Sequence, residues 1–376
     1  MIASVVLALS MPVLLFVGCI DSGTDAPDLS QPLKPILMYD DSISVMPVDI
    51  QTRADVFTDP SLTLGLYLTP SRATTLYQFN YSAADPVWDG NANVDAGVKY
   101  EIFGYMPVKQ GITASVSGYR ANDAAFTSTT TNPVLTLSNM DPILTDELAV
   151  VTGVRIINAA DDDAAADAAS EPDAGCFYYQ GQASNNYVCL LMERIVTCYE
   201  IRIAISTNTV ATDDSRYDAM NYAGIRSVHI KRMELTTSAR KKMSATITFN
   251  DNPAGVTPAI SNVVWNVESG TSDPVAIFDS QTAGAEKVLT TAWQDIAFYS
   301  MPASLATVIL TTYYDVYDHN GNLVRENCTS ENDLTNLLSS ITPAVGTKYT
   351  IDLVVKPTYL YQLSGGDIDN PTIVAN

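Results

Sequence analysis

The cysteine whose surroundings say most is Cys19. It follows Phe16-Val17-Gly18 at the end of an uncharged apolar run, MIASVVLALSMPVLLFVG. Such a run has the length of a secretory signal's apolar segment, and a small residue directly before a cysteine suits lipid transfer to that thiol. Cys19 is therefore the expected lipidation site, with residues 1–18 removed as a signal peptide. Acyl chains there would hold the mature chain on a membrane surface. Export also allows disulfides, and the remaining cysteines, Cys176, Cys189, Cys198 and Cys328, can pair in three ways. Spacing does not choose among them. Cys189 and Cys198 lie in an apolar, strand-like stretch, where buried free thiols are equally expected.

Little else in the chain could do covalent or acid–base chemistry. There are two histidines, His229 and His319. His319 sits in the turn sequence YDHNGN, where Asp318, Asn320 and Gly321 loosely match a calcium loop. Val316 stands where the first ligand oxygen is needed, so no metal site is expected. Ser238-Ala-Arg-Lys241 fits the spacing S-x-x-K, but within a basic connector between two strands. The chain has no glycine-rich nucleotide loop, no C-x-x-C and no nucleophile elbow. No catalytic residue and no cofactor are expected. The net charge of −22, from 42 acidic against 20 basic residues, disfavours nucleic acid as a partner. It suits a solvated, exposed surface.

The elements that would carry these residues read as strands. Leu62, Leu64, Leu66 and Leu68 alternate with Thr63, Gly65 and Tyr67, the period of a half-buried strand. Tyr100, Ile102 and Gly104 repeat it. Further on, Ile201, Ile203 and Ile205, then Ala245, Ile247 and Phe249, then Val263, Trp265 and Val267 mark single faces. TVILTTYYDVYDHNGNLVREN reads as a hairpin turning at Asn320-Gly321. Tyr349, Ile351, Leu353 and Val355 make a last clear strand. Only residues 330–340, SENDLTNLLSS, look helical, with Ser330 as the expected cap. Asp21–Pro35 is rich in Asp, Ser, Gly and Pro and reads as a tether. The whole reads as all-β, with two antiparallel sandwich-like domains in series. Their expected limits are a segment 19–53, a domain 54–157, an acidic linker 158–187, a domain 188–356 and a tail 357–376.

This order of features resembles the Bacteroidales-type fimbrillins, lipoprotein precursors of type V pilus subunits. The likeness is carried by the Cys19 lipobox, by DIQTRADVFTDPSLTLGLYL with Arg53-Ala54, by VKYEIFGYMP, by LLMERIVTCYEIRIAI and by the ending KYTIDLVVKPTYLYQLSGGDIDNPTIVAN. It runs in order over nearly the whole chain. The resemblance implies two tandem transthyretin-like β-sandwich domains, anchorage of the precursor in the cell outer membrane, and other fimbrial subunits as partners. It also implies an arginine-specific protease that cuts after Arg53, leaving Ala54 as the new N-terminus. Arg72 is a poorer candidate, because cutting beyond the Leu62–Leu68 strand would remove core.

The strand so released would offer Ile43, Val45, Val48 and Ile50, and a donor strand from another subunit's tail would offer Tyr359, Tyr361 and Leu363. Gly365-Gly366 and Pro371 limit that expected donor to residues 357–364. A different reading makes the protein a monomeric surface lipoprotein, or a tip adhesin, that binds a glycan through exposed aromatics such as Tyr313 and Tyr317.

Overall fold

The computed structural model describes residues 30–39, 61–69, 72–84, 87–96, 98–118, 133–155, 177–178, 187–205, 225–249, 260–305, 307–318, 321–339, 341–345, 347–355 and 368–375. In chain order the strands begin with β1 (Gln31–Pro32), β2 (Lys34–Tyr39), β3 (Thr63–Thr69), β4 (Arg72–Ser82), β5 (Val87–Gly90) and β6 (Asn93–Val94). Next come β7 (Lys99–Met106), β8 (Thr113–Ser117), β9 (Val134–Met140), β10 (Ala149–Arg155), β11 (Phe177–Tyr178) and β12 (Tyr187–Arg194). They continue as β13 (Thr197–Ile205), β14 (Ile225–Thr237), β15 (Lys242–Phe249), β16 (Ile260–Glu268), β17 (Val275–Asp279) and β18 (Lys287–Leu289). The last are β19 (Gln294–Ser300), β20 (Val308–Asp318), β21 (Leu323–Asp333), β22 (Lys348–Val355) and β23 (Ile368–Ala375). The described helices are short, α1 (Ser280–Ala283) and α2 (Thr335–Ser339). The protein is all-β, as its alternating patterns predict.

The first sheet curls on itself. Its strands run β2-β12-β10-β7-β3-β4-β5, and the two end strands, β2 and β5, lie side by side. The seam is closed by β1 against β6, with Gln31 opposite Val94, and by Leu33 N donating to Ala92 O at 2.8 Å. Inside this barrel-like curl lie Leu33, Leu37, Leu66, Trp88, Ile102 and Leu190. The Leu64-Leu66-Leu68 face is fully buried there. Contrary to the half-buried expectation, Tyr67 on the opposite face is buried as well. The reason is a second sheet, β16-β15-β9-β8, laid over the outside of the curl. Tyr67, Phe103 and Tyr105 meet Leu137, Ile247 and Phe249 between the two layers.

This covering sheet joins the two halves of the chain. β15 and β16 fall inside the range expected to form the C-terminal domain, yet β15 pairs with β9, Ile247 opposite Leu135. Apart from the short β11, which pairs with β7, the remaining strands make a sandwich. One sheet is β19-β13-β22-β23, the other is β17-β14-β20-β21 with β18 beside β14. Ile201, Phe298 and Ile351 of the first pack on Ile230, Leu235 and Leu310 of the second. The β20–β21 hairpin forms as predicted, and Gly321 takes the left-handed φ of 78° that its turn requires. The helix prediction is corrected at its start. Ser330 is drawn into β21 opposite Thr312, so α2 begins only at Thr335, whose N–H donates to Asp333 Oδ1 at 2.8 Å.

Candidate functional site

The site singled out by the sequence is the pair of chain ends, and residues 30–39, with β1 and β2, are the described part of the first. Residues Leu33, Pro35 and Leu37 are buried, while Lys34 and Ile36 between them are half-buried. This alternation turns Leu33 and Leu37 into the barrel interior. β2 pairs in parallel with β12, from Tyr187 opposite Lys34 to Met192 opposite Tyr39. Lys34 Nζ lies 5.4 Å from the centroid of the Tyr187 ring. β12 is the only described strand in a ladder with β2, which is where a strand tolerates Pro35. The tether expected over Asp21–Pro35 is thus corrected from Gln31 onward. The Asp, Ser, Gly and Pro content of that stretch reads as a tether, and the signal that opposes it is the Leu33, Pro35, Leu37 spacing together with the apolar run Ile36–Tyr39.

β2 precedes Arg53 and is joined to β3 by the segment that contains it. Since β2 borders β12 and β3 lies between β7 and β4, the two are not neighbours in the sheet. A cut in that segment would leave β2 held by non-covalent contacts alone. Cys19, Ile43, Val45, Val48, Ile50, Arg53 and Ala54 themselves lie outside the described residues, as do Tyr359, Tyr361 and Leu363.

With this geometry in view, comparison with known proteins gives the following. No protein-family model and no curated protein sequence matches the chain. Among solved structures it is similar to a candidate cell adhesion protein from Bacteroides uniformis, at 9% identity and a TM-score of 0.36, over 92% of this chain and 98% of that one. It is similar to a candidate cell adhesion protein from Bacteroides fragilis, at 11% identity and a TM-score of 0.35, over 92% and 98%. The third is the fimbrial anchor protein Mfa2 from Porphyromonas gingivalis, at 9% identity and a TM-score of 0.25, over 91% and 97%. All three come from Bacteroidales. TM-scores of this size leave the superpositions too loose to carry residue roles across.

The second chain end is β23, an edge strand antiparallel to β22, with Tyr349 opposite Ala375 and Val355 opposite Ile368. Pro371 does not end the strand, which corrects the sequence expectation. The register shifts between Asp352 and Val354, where two residues of β23, Asn370 and Pro371, oppose one of β22. A bulge on an edge strand accommodates the missing N–H.

The other residues considered from the sequence are engaged locally. Tyr313 donates to Glu234 Oε2 at 3.0 Å, and the Tyr317 ring lies 4.1 Å from that of His229. His229 also contacts Glu286 Oε2 at 3.0 Å through Nδ1 and Ser227 Oγ at 3.2 Å through Nε2. Ser238 and Lys241 are exposed at the β14–β15 turn, and Lys241 pairs with Glu268 at 3.0 Å. Cys198 and Cys328 are free thiols, and burial pushes the Cys198 thiol up to about 11. Cys176 lies outside the described residues, and Cys189 is placed in β12 opposite Ile36. Among the described residues no group of three or more His, Cys, Asp or Glu could hold a metal ion. An aromatic the sequence reading missed is Trp293, 41% exposed, with Arg202 Cζ 5.2 Å from its ring centroid.

Proposed function

We propose that this protein is a subunit of a surface fimbria, exported as a lipoprotein anchored through Cys19 and serving adhesion without catalysis. An arginine-specific protease cuts after Arg53, β1 and β2 depart with the lipid, and the C-terminal tail of another subunit fills the place they leave. The observation that carries this reading is the placement of β2. It is a terminal strand in a single ladder, upstream of Arg53, and it contributes Leu37, with Leu33 directly before it, to the barrel core.

Removing β2 would open the seam and expose β12 with the apolar pockets beside it. Water cannot satisfy such pockets and a strand can, through main-chain bonds and alternate side chains. The tail from residue 357 onward supplies that strand in this scheme, since β23 is held on one side only in the described structure.

The test is to treat the purified precursor with an arginine-specific protease. A new N-terminus at Ala54, loss of the N-terminal peptide and a ladder of oligomers are expected. A chain ending at Val355 should be cut yet form no ladder. Monomers that keep their N-terminal peptide after cutting at Arg53 would overturn the proposal. A second reading, a surface lipoprotein that binds a glycan, is favoured by exposed Trp293. It requires binding on a glycan array that Trp293→Ala abolishes.

A further inference from the structure

The sheets of this protein end in several edges, and most of them carry a feature that discourages another strand from adding. β2 contains Pro35 and lies against β5. β23 has Pro371 in its bulge. β21 carries Arg325, Glu326, Glu331 and Asp333, and Asn327 within it has a left-handed φ of 55°. β19 is covered at one end by Leu144, whose N–H and C=O both bond Tyr299 at 2.8 Å. β8 and β17 are each 5 residues long.

β16 is the exception. It is 9 residues long, ISNVVWNVE, with no proline, no glycine and no charge before its last residue. Among the described residues it pairs only with β15. Val264 is 44% and Val267 38% exposed. Trp265 Nε1 is buried without a hydrogen-bond partner. Ser261 is an extra residue against β15, so the regular run is Asn262–Glu268.

We infer that β16 is a contact between two copies of this chain, paired antiparallel about a two-fold axis at Val264. The strand is self-complementary in that register. Val264 meets its own counterpart, Asn262 meets Asn266 of the second copy, and Val263 meets Trp265 of the second copy. Each of these central pairs lies on one face and matches in polarity, the condition under which cross-strand neighbours attract; unlike residues meet only outside Asn262–Asn266, Ser261 with Val267 and Ile260 with Glu268. No charge opposes another, which matters between two molecules of net charge −22. Centring the axis on Trp265 instead would set Trp265 against itself and Asn262 against Glu268. The Val264 register joins two four-stranded sheets into one of eight and pairs the outward main-chain groups of both edges. It does not depend on the exchange of chain ends.

The uncut chain tests it by sedimentation equilibrium from about 1 µM to about 1 mM, the span over which weak interfaces populate. The wild type should rise from one chain mass to two. Val264→Lys puts like charges at the axis and should weaken the dimer at least tenfold, with an unchanged circular dichroism spectrum because Val264 is exposed.

Cysteine substitution then tests the register. Counterparts at the axis lie about 4.5–5.5 Å apart between Cα atoms, so Val264→Cys should form a disulfide-linked dimer under mild oxidation. Asn266→Cys should not, its own counterpart being about 14 Å away, whereas a mixture of Asn262→Cys and Asn266→Cys should. A wild type monomeric throughout, a dimer indifferent to Val264→Lys, or crosslinking by Asn266→Cys equal to that by Val264→Cys would each overturn the inference.

Discussion

Truncating Leu37 tests whether β2 is held by burial and released by cutting. Leu37 is 0% exposed inside the barrel, and Leu-to-Ala changes at such positions cost about 2–5 kcal/mol. In the uncut chain this loss should appear in full as a lower denaturant midpoint at unchanged slope. After cutting at Arg53 the same lost contact acts on a peptide no longer covalently attached. At about 1.4 kcal/mol per tenfold, its hold should weaken by about 30-fold to several thousand-fold. Size-exclusion chromatography of the cut protein, with mass spectrometry of the released peptide, reads this directly. Ile36→Ala is the control, since Ile36 is only half-buried on the same strand and should cost less on both measures. If Leu37→Ala destabilises the uncut chain as expected while the cut chain keeps its peptide as firmly as wild type, the reasoning fails. Burial of β2 would then not be what retains the segment.

Three further outcomes follow from the geometry. A Cβ on Gly104 would strike the Gly65 carbonyl and come within 2.6 Å of Leu66 Cδ2, so Gly104→Ala should lower stability by about 1–3 kcal/mol or more, read by thermal melting. Burial raises the Cys198 thiol to about 11 and the Tyr105 hydroxyl to about 12, and raises Tyr199 and Tyr299 as well. Groups raised on folding stabilise below their unfolded values and lose that contribution as pH climbs through the folded ones. Denaturant midpoints should therefore hold up to about pH 9 and fall beyond it, and Cys198→Ser should flatten the first part of the fall. Arg202 holds Asp352 through Nε and Nη2, both at 2.7 Å, across the parallel β13–β22 pair. Because both side chains are partly exposed, Asp352→Asn should cost only about 1 kcal/mol, and less in high salt.

The β content was legible because alternation is a local signal. Leu64, Leu66 and Leu68, or Ile201 and Ile203, need only their neighbours to reveal a buried face, and all five are fully buried. What alternation cannot show is which sheet receives a strand. Ala245, Ile247 and Phe249 form a buried face as expected, but that face covers the barrel formed largely by the first half of the chain. Trp265 and Val263 pack there while Val267, on the same face of the same strand, stays exposed. At the chain ends, composition misled twice for one reason. Pro35 falls in a stretch that reads as a tether and Pro371 reads as the limit of a donor strand, whereas an edge strand in a single ladder can lack an N–H on its other side. The Asp333 cap was masked in the same way by Ser330, whose place was decided by pairing with β20 and not by helix propensity.

The three apolar clusters described also bear on how far the loss of β2 could spread. Leu33 and Leu37 are the described residues upstream of Arg53 that enter any of them, and both belong to the barrel interior. The layer between barrel and covering sheet is built from β3, β7, β9, β10 and β15, among others, with no described side chain of β1 or β2 in it. None of their described side chains enters the sandwich core either. Departure of β2 therefore strips one side of one cluster. The loss is on the order of two buried leucines, about 1.5–3 kcal/mol each, together with one ladder and the seam closed by β1. That is a large fraction of a typical folding free energy. It is also confined to a slot whose far walls stay braced from outside by the covering sheet. A molecule so opened would stay folded elsewhere while its vacant edge remained unstable in water, which is the combination that a strand from another subunit needs in order to bind.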